Sequence, residues 1–234
     1  MDACYTLGKA ADGIWSIEER NVRAFLAVGG DRALLIDTGY GGGDLAGLVR
    51  GLTAKPVQVV LTHADMDHVG AAAQFDTVFA HPAEFDRYAS RGLPGPPPKP
   101  LWEGGRLDAG GLEFEALLLP GHTPGSIALL ERRRRLLIAG DTVQTAEVYM
   151  FGPGRSLAAY IHSLNKLWSM RDCFDSVLSS HGRPVNGPGL IAELRRGAER
   201  LLRGELTPQP LPARLTHLEG KCRLYTDGNV SFLY

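Results

Sequence analysis

The sequence predicts an α/β fold in which two sheets pack face to face with helices outside, and three observations carry that expectation. Strand-like runs followed by helical ones occur twice, before and after about residue 120, without a clear repeat between the halves. Short apolar runs end repeatedly in segments rich in histidine and aspartate, and strand ends are where layered α/β proteins build their sites. A chain of 234 residues with 44% hydrophobic, 22% charged and 8% aromatic content has the material for a large core and lies far from disordered or fibrous compositions.

Residues 13–37 read as antiparallel sheet: GIWSI, VRAFLAV, a GGD turn and RALLID. Asp44 then caps a helix with Leu45, Leu48, Val49 and Leu52 at helical spacing, and Pro56 follows it. VQVVL is a buried-strand run leading into THADMDHVG, after which AAAQF reads as the start of another helix. Residues 90–105, SRGLPGPPPKPLWEGG, are too rich in proline and glycine for regular structure, and such a segment is either a lid or binding loop, with Trp102 a candidate for substrate selection, or a surface excursion.

LEFEALLLP, SIALLE and RLLIAGD predict three more strands. Ser156 caps a helix whose Leu157, Tyr160, Ile161, Leu164, Leu167 and Trp168 form one apolar stripe, read as core. FDSVLSSHG repeats the strand-then-histidine pattern, and GLIAELRRGAERLLRGEL is a further amphipathic helix. KCRLYTDGNVSFLY is a hairpin about Asp227-Gly228. The expected organisation is one domain over 1–234, with 188–234 as a helix-plus-hairpin extension. The hairpin could cover a sheet edge or pair with a second copy in a homodimer.

Twenty-five basic residues against 26 acidic ones leave a net charge of −1, so no basic field draws nucleic acid or an anionic membrane, and a small-molecule substrate is expected. Arg132 to Arg135 fall in a hairpin turn and read as solvated, and Gly41 to Gly43 lack the Gly-Lys-Ser/Thr of a phosphate loop. The three cysteines, Cys4, Cys173 and Cys222, form neither a disulfide framework nor a Cys-x-x-Cys site. With no apolar leader in MDACYTLGKAADG and no run long enough to span a membrane, the expected location is cytoplasmic.

Four histidines lie where strands end: His63, His68, His122 and His181. In His63-Ala64-Asp65-Met66-Asp67-His68, alternating orientation would send His63 and Asp65 to one side and Asp67 and His68 to the other. Such a density of imidazole and carboxylate is that of a metal site rather than a solvated face. Pro120, Gly121, Pro124 and Gly125 place His122 at the tip of a tight turn, while Asp141 and His181 end the strands LLIAGD and SVLSSHG. His81, His162 and His217 are read as non-ligands.

The ordered set Asp37-Thr38-Gly39, Thr62 through His63, Asp67 and His68 to Gly70, Gly121-His122-Thr123-Pro124-Gly125, Gly140-Asp141 and Ser180-His181-Gly182 resembles the metallo-β-lactamase superfamily. That family includes lactonases, glyoxalase II-like thioester hydrolases, phosphodiesterases and diiron oxidoreductases. The resemblance covers residues 13 to about 185 and implies an αβ/βα four-layer sandwich with two divalent ions at one sheet edge. It implies that His63, Asp65, His122 and Asp141 serve the first ion and Asp67, His68 and His181 the second, with Asp141 bridging and Asp37 orienting. The family pattern has histidine where this chain has Asp65. A carboxylate there hardens the site and shifts preference from zinc toward iron or manganese, which stand as alternatives to zinc, the ion expected first.

The implied chemistry is hydrolysis of a small-molecule ester, thioester or lactone through a metal-bridging hydroxide, with Asp67 relaying the proton. Tyr149, Met150 and Phe151 are expected to wall the substrate pocket, with Arg155 or Arg183 for an anionic group. A phosphodiesterase, or a diiron redox enzyme suggested by Asp65, is the alternative. The short tail does not resemble the helical glutathione-binding domain of the thioester-hydrolase branch.

Overall fold

The computed structural model describes residues 4–234, so residues 1–3 of the opening segment read above for a leader lie outside the described residues. The first half builds a seven-stranded sheet in chain order from β1 (Thr6–Ala11), β2 (Ile14–Glu19), β3 (Val22–Val28), β4 (Ala33–Ile36), β5 (Val57–Val60), β6 (Val78–Ala80) and β7 (Lys99–Pro100). β1 to β4 pair antiparallel, and β4 to β7 pair parallel. The switch follows from the connections: tight turns join the early strands, whereas α1 (Leu45–Leu52), α2 (Met66–Val69) and α3 (Phe85–Ala89) lie between the later ones.

The second half contains β8 (Arg106–Asp108), β9 (Glu113–Leu118), β10 (Ile127–Glu131), β11 (Leu136–Ile138), β12 (Val148–Tyr149), α4 (Leu157–Ser169), β13 (Ser176–Leu178), β14 (Val185–Asn186), α5 (Gly189–Leu202), β15 (Leu224–Asp227) and β16 (Val230–Leu233). Six of these strands form a second sheet in the order β14-β13-β11-β10-β9-β8, and β12-β16-β15 form a small third one.

Alternation of side chains along the strands sorts the core into layers. Phe25, Ala27, Leu34, Ile36 and Val60 of the first sheet meet Phe114, Ala116, Ile127, Leu129, Ile138 and Leu178 of the second. The other face of the first sheet, with Ala24, Leu26 and Leu35, packs on Leu45 and Val49 of α1. The outer face of the second, with Leu117, Ala128, Leu130 and Val177, packs on α4 and α5. This is the four-layer sandwich. Strands buried on both faces explain why VRAFLAV and SIALLE read as continuous apolar runs rather than alternating ones.

Asp44 caps α1 through Gly47 N, and Ser156 caps α4 through Ala159 N, as expected. Three local readings are corrected. The helix expected at AAAQF begins earlier, at Met66 inside the histidine segment, and Ala72–Gln74 is only a 3-10 turn. The 90–105 segment is not a lid: it carries β7 on the first sheet and then donates Gly104 N to Ala116 O on the second, and Trp102 packs its ring on His81 at 5.3 Å. The final hairpin does not cover an edge of either main sheet, because β16 pairs with β12 and packs on α5. No helix among the described residues is long and apolar enough to cross a membrane.

Candidate metal centre

Four loops at one edge of the sandwich carry the site. The loop after β5 brings His63, Asp65, Asp67 and His68; the β9–β10 turn brings His122; Asp141 and His181 follow β11 and β13. The edge is held together across the sheets. Ile127 N donates to Thr62 O at 2.8 Å, and buried Glu84 accepts Ala64 N at 2.8 Å and Gly125 N at 2.7 Å, tying the His63 and His122 loops to one carboxylate. Arg23 reaches from β3 to Ser179 O and Gly182 O, bracing the His181 loop.

The seven sequence-predicted ligands converge in two adjoining groups. In the first, Asp65 Oδ2 lies 3.6 Å from His63 Nε2 and 3.2 Å from His122 Nε2, and the two imidazole nitrogens are 3.2 Å apart. In the second, Asp67 Oδ2 lies 3.2 Å from His181 Nε2 and 3.8 Å from His68 Nε2. Asp141 stands between them: Oδ1 is 3.3 Å from His68 Nε2 and 3.4 Å from His181 Nε2, and Oδ2 is 3.7 Å from His122 Nε2. These spacings suit ligand atoms each about 2.0–2.2 Å from a shared cation. Among the described residues, His68 Nε2 and Asp141 Oδ1 are buried without a hydrogen-bond partner, an arrangement that costs about 1–3 kcal/mol per group unless a ligand compensates it. The donor set therefore fits divalent metal ions.

Each imidazole turns Nε2 inward because Nδ1 is occupied behind it. His122 Nδ1 donates to Tyr149 O at 3.0 Å and His181 Nδ1 to Asn21 O at 2.7 Å; His68 Nδ1 meets Asp37 Oδ2 at 2.8 Å, and His63 Nδ1 meets Thr62 Oγ1 at 3.1 Å. Asp37, itself buried, also accepts Thr62 N at 2.7 Å and Thr62 Oγ1 at 2.8 Å. Its φ of 61° is the left-handed conformation, uncommon for a non-glycine residue. It contacts the His68 imidazole and the Thr62 backbone and hydroxyl but not the cleft, so its geometry is that of a positioning residue.

Burial opposes the charge on Asp141, but the His181 and His68 imidazoles outweigh it and hold the carboxyl well below its usual range. Burial likewise disfavours a charged His68, yet Asp141, Asp37 and Asp67 raise its pKa well above normal. For Asp67, desolvation is overcome by His68 and His181, and its pKa is lowered. His122 moves the opposite way from His68: burial lowers its pKa, and the neighbouring His63 adds to that.

An open cleft of about 650 Å³ runs over the ligands, and Asn21, Tyr40, Met66, Gln144, Tyr149 and Leu215 are among its walls. Of the predicted substrate contacts, Tyr149 lines it. Met150 is buried in the core against α4 and α5, and Phe151 packs with Leu215 and Leu218 in a satellite core. Arg183 is exposed and anchored through its backbone to Thr145, and Arg155 is turned onto Asp65. Sequence reasoning missed Arg91, Arg214 and His217, which also line the cleft, because the tail and the turn after α3 reach it only through the fold. It also missed the arginines around Asp65, for which local sequence carried no signal.

Gly121 makes the His122 turn achievable. Its φ is 144°, and a Cβ there would lie 2.4 Å from Tyr160 N and Cα in α4. Gly121→Ala must drive the turn off the helix backbone, so a loss of about 3 kcal/mol or more is expected in the stability measured by denaturant unfolding. A midpoint equal to wild type would show that the turn and α4 are not in fixed contact.

Residues 17–172 match the family described as Metallo-beta-lactamase superfamily. The acyl-coenzyme A thioesterase MBLAC2 of Homo sapiens is 27% identical over 248 residues, covering 85% of this chain and 85% of that protein. Hydroxyacylglutathione hydrolase GloC of Haemophilus influenzae is 31% identical over 129 residues, 47% of this chain and 61% of that protein. Among solved structures, the metallo-beta-lactamase from Pontibacter korlensis superposes with a TM-score of 0.72 at 18% identity, covering 83% of this chain and 99% of that one.

Proposed function

The chain belongs to the metallo-beta-lactamase superfamily, and we propose that it is a metal-dependent hydrolase of small-molecule thioesters, using the two groups of ligands at the sheet edge. The observation that carries this reading is the convergence of His63, Asp65, His122, Asp67, His68, His181 and Asp141 beneath an open cleft, with buried atoms left unpartnered. The choice of thioesters over lactones or phosphodiesters is supported by the relatives: a thioesterase matches 85% of this chain, and a hydroxyacylglutathione hydrolase is similar over a shorter stretch. The near-zero net charge also argues against nucleic acid as the substrate.

Bound divalent cations supply Lewis acidity toward a substrate carbonyl and acidify water to a pKa of about 7. The chain's residues do the rest. Asp67, partly exposed on the cleft floor, is the carboxylate placed to hold or pass a proton, while Asp37 keeps His68 aimed inward. Tyr40, Met66, Tyr149 and Leu215 offer apolar wall for an acyl group, and Arg91, Arg214 and His217 supply polar and cationic contact for the thiol-bearing part. Asp65 alone would favour harder ions, but its charge is met by guanidinium groups, so zinc is the ion we propose. A cytoplasmic setting belongs to this reading; none of the three cysteines forms a disulfide among the described residues.

The test is thiol release from a panel of acyl-coenzyme A and hydroxyacylglutathione thioesters, beside lactones and a model phosphodiester. Turnover of thioesters, abolished by chelator and restored by zinc, is expected. Turnover of the phosphodiester alone would overturn the assignment.

A further inference from the structure

Asp65 carries more counter-charge than a metal ligand needs. Its Oδ1 accepts Arg87 Nε at 2.9 Å, Arg87 Nη2 at 2.7 Å and Arg91 Nη2 at 3.0 Å, and its Oδ2 accepts Arg155 Nη2 at 2.5 Å. A carboxylate offers about four acceptor directions. With Oδ1 saturated and Oδ2 holding one guanidinium, a single direction remains, and Oδ2 faces the imidazoles of His122 and His63 at 3.2 and 3.6 Å.

Arg155 does a second thing. Its Nε donates to Tyr149 O at 3.1 Å, the same carbonyl that receives His122 Nδ1 at 3.0 Å. One side chain, whose exposure is only 10%, thus touches one ligand of the first group and the orienting partner of another.

We infer that Arg87, Arg91 and Arg155 form a clamp that makes Asp65 a charge-neutralised, one-oxygen donor, with Arg155 also aligning His122, so that the first metal position binds its ion more weakly than the second. The inference rests on the metal-site reading above. The physical reason is the local charge balance: three guanidiniums beside one carboxylate leave a cationic excess near the first position. Asp141 serves both positions, but Asp67 faces the second directly and Asp37 stands behind His68. Arg155 and Arg91 therefore have opposite effects on affinity. Arg155 favours binding by holding geometry, whereas Arg91, on the already saturated oxygen, mainly adds repulsion.

The experiment is a zinc titration of the metal-free full chain against a chromophoric chelator, with bound metal counted by elemental mass spectrometry. Wild type is expected to show one tight step and one about 10- to 100-fold weaker. Asp65→Asn should lose the weak step and keep the tight one, and Asp67→Asn should lose the tight step and keep the weak one. Arg155→Gln and Arg155→Lys should both weaken the weak step further, by about 10-fold or more, without moving the tight one, since lysine keeps charge but cannot serve both acceptors. Arg91→Gln, at a more exposed side chain, should strengthen the weak step. Two equal steps in wild type, loss of the tight step in Asp65→Asn, or a still weaker weak step in Arg91→Gln would overturn the inference while leaving a metallohydrolase. Failure of wild type to bind zinc at all would overturn the metal reading and the inference together.

Discussion

Asp141→Asn is expected to reduce bound metal from about two equivalents toward zero and thioester turnover by about 10³-fold or more. Asp141 is the one carboxylate that reaches both groups, through Oδ1 toward His68 and His181 and through Oδ2 toward His122. Asparagine preserves its shape but removes the anion, leaving each position short of a shared ligand while burying an amide opposite three imidazole nitrogens. Elemental analysis and turnover check the two halves of the expectation. Melting with and without zinc supplies an independent reading: added metal should stabilise wild type and leave the variant unmoved, because only an ion that binds the native state shifts the unfolding equilibrium. Full occupancy with wild-type turnover in the variant would remove Asp141 from the centre.

The C-terminal hairpin lies well beyond the last ligand, His181, in the chain yet couples to the centre in space, and Phe232→Ala should destabilise the protein by about 3–5 kcal/mol. Phe232 is fully buried, meets the Tyr160 ring edge-on at 6.4 Å, and belongs to the same apolar cluster as Leu194 and Ala198 of α5. Truncation leaves a cavity between the hairpin and two helices, and a fall in melting temperature of about 10 °C or more is the corresponding observable. The effect should also reach the site. β16 pairs with β12 through Val148↔Phe232 and Tyr149↔Leu233, and the Tyr149 carbonyl orients His122. Weaker zinc binding at the His122 group is therefore expected alongside lower stability. A loss below about 1 kcal/mol would mean that the hairpin is peripheral after all.

Much of the site is legible before folding because its ligands sit at the ends of short apolar runs. VQVVL before His63, RLLIAG before Asp141 and SVLSS before His181 are strands by their own composition, and strand ends must emerge at a sheet edge. The tight His122 turn is equally local, written in Pro120, Gly121, Pro124 and Gly125. The start of α2 at Met66 is not legible, since a four-residue helix has too little periodicity to announce itself. Nor is β1, whose TLGKAA lacks an apolar alternation and is recruited as an edge strand by pairing with β2.

The layered α/β class, the seven candidate ligands and their order thus follow from local periodicity and from residue types placed at strand ends, information that each segment carries without its neighbours. The surroundings of Asp65 come instead from the packed fold. Arg87 and Arg91 belong to α3 and the turn after it, and Arg155 to the loop before α4, 90 residues away in the chain, and nothing in their own segments marks them as partners of a carboxylate. The same holds for Arg214 and His217 from the tail. Charge pairing and cleft walls are set by distances between segments, which the packing of the two sheets fixes and no local pattern encodes.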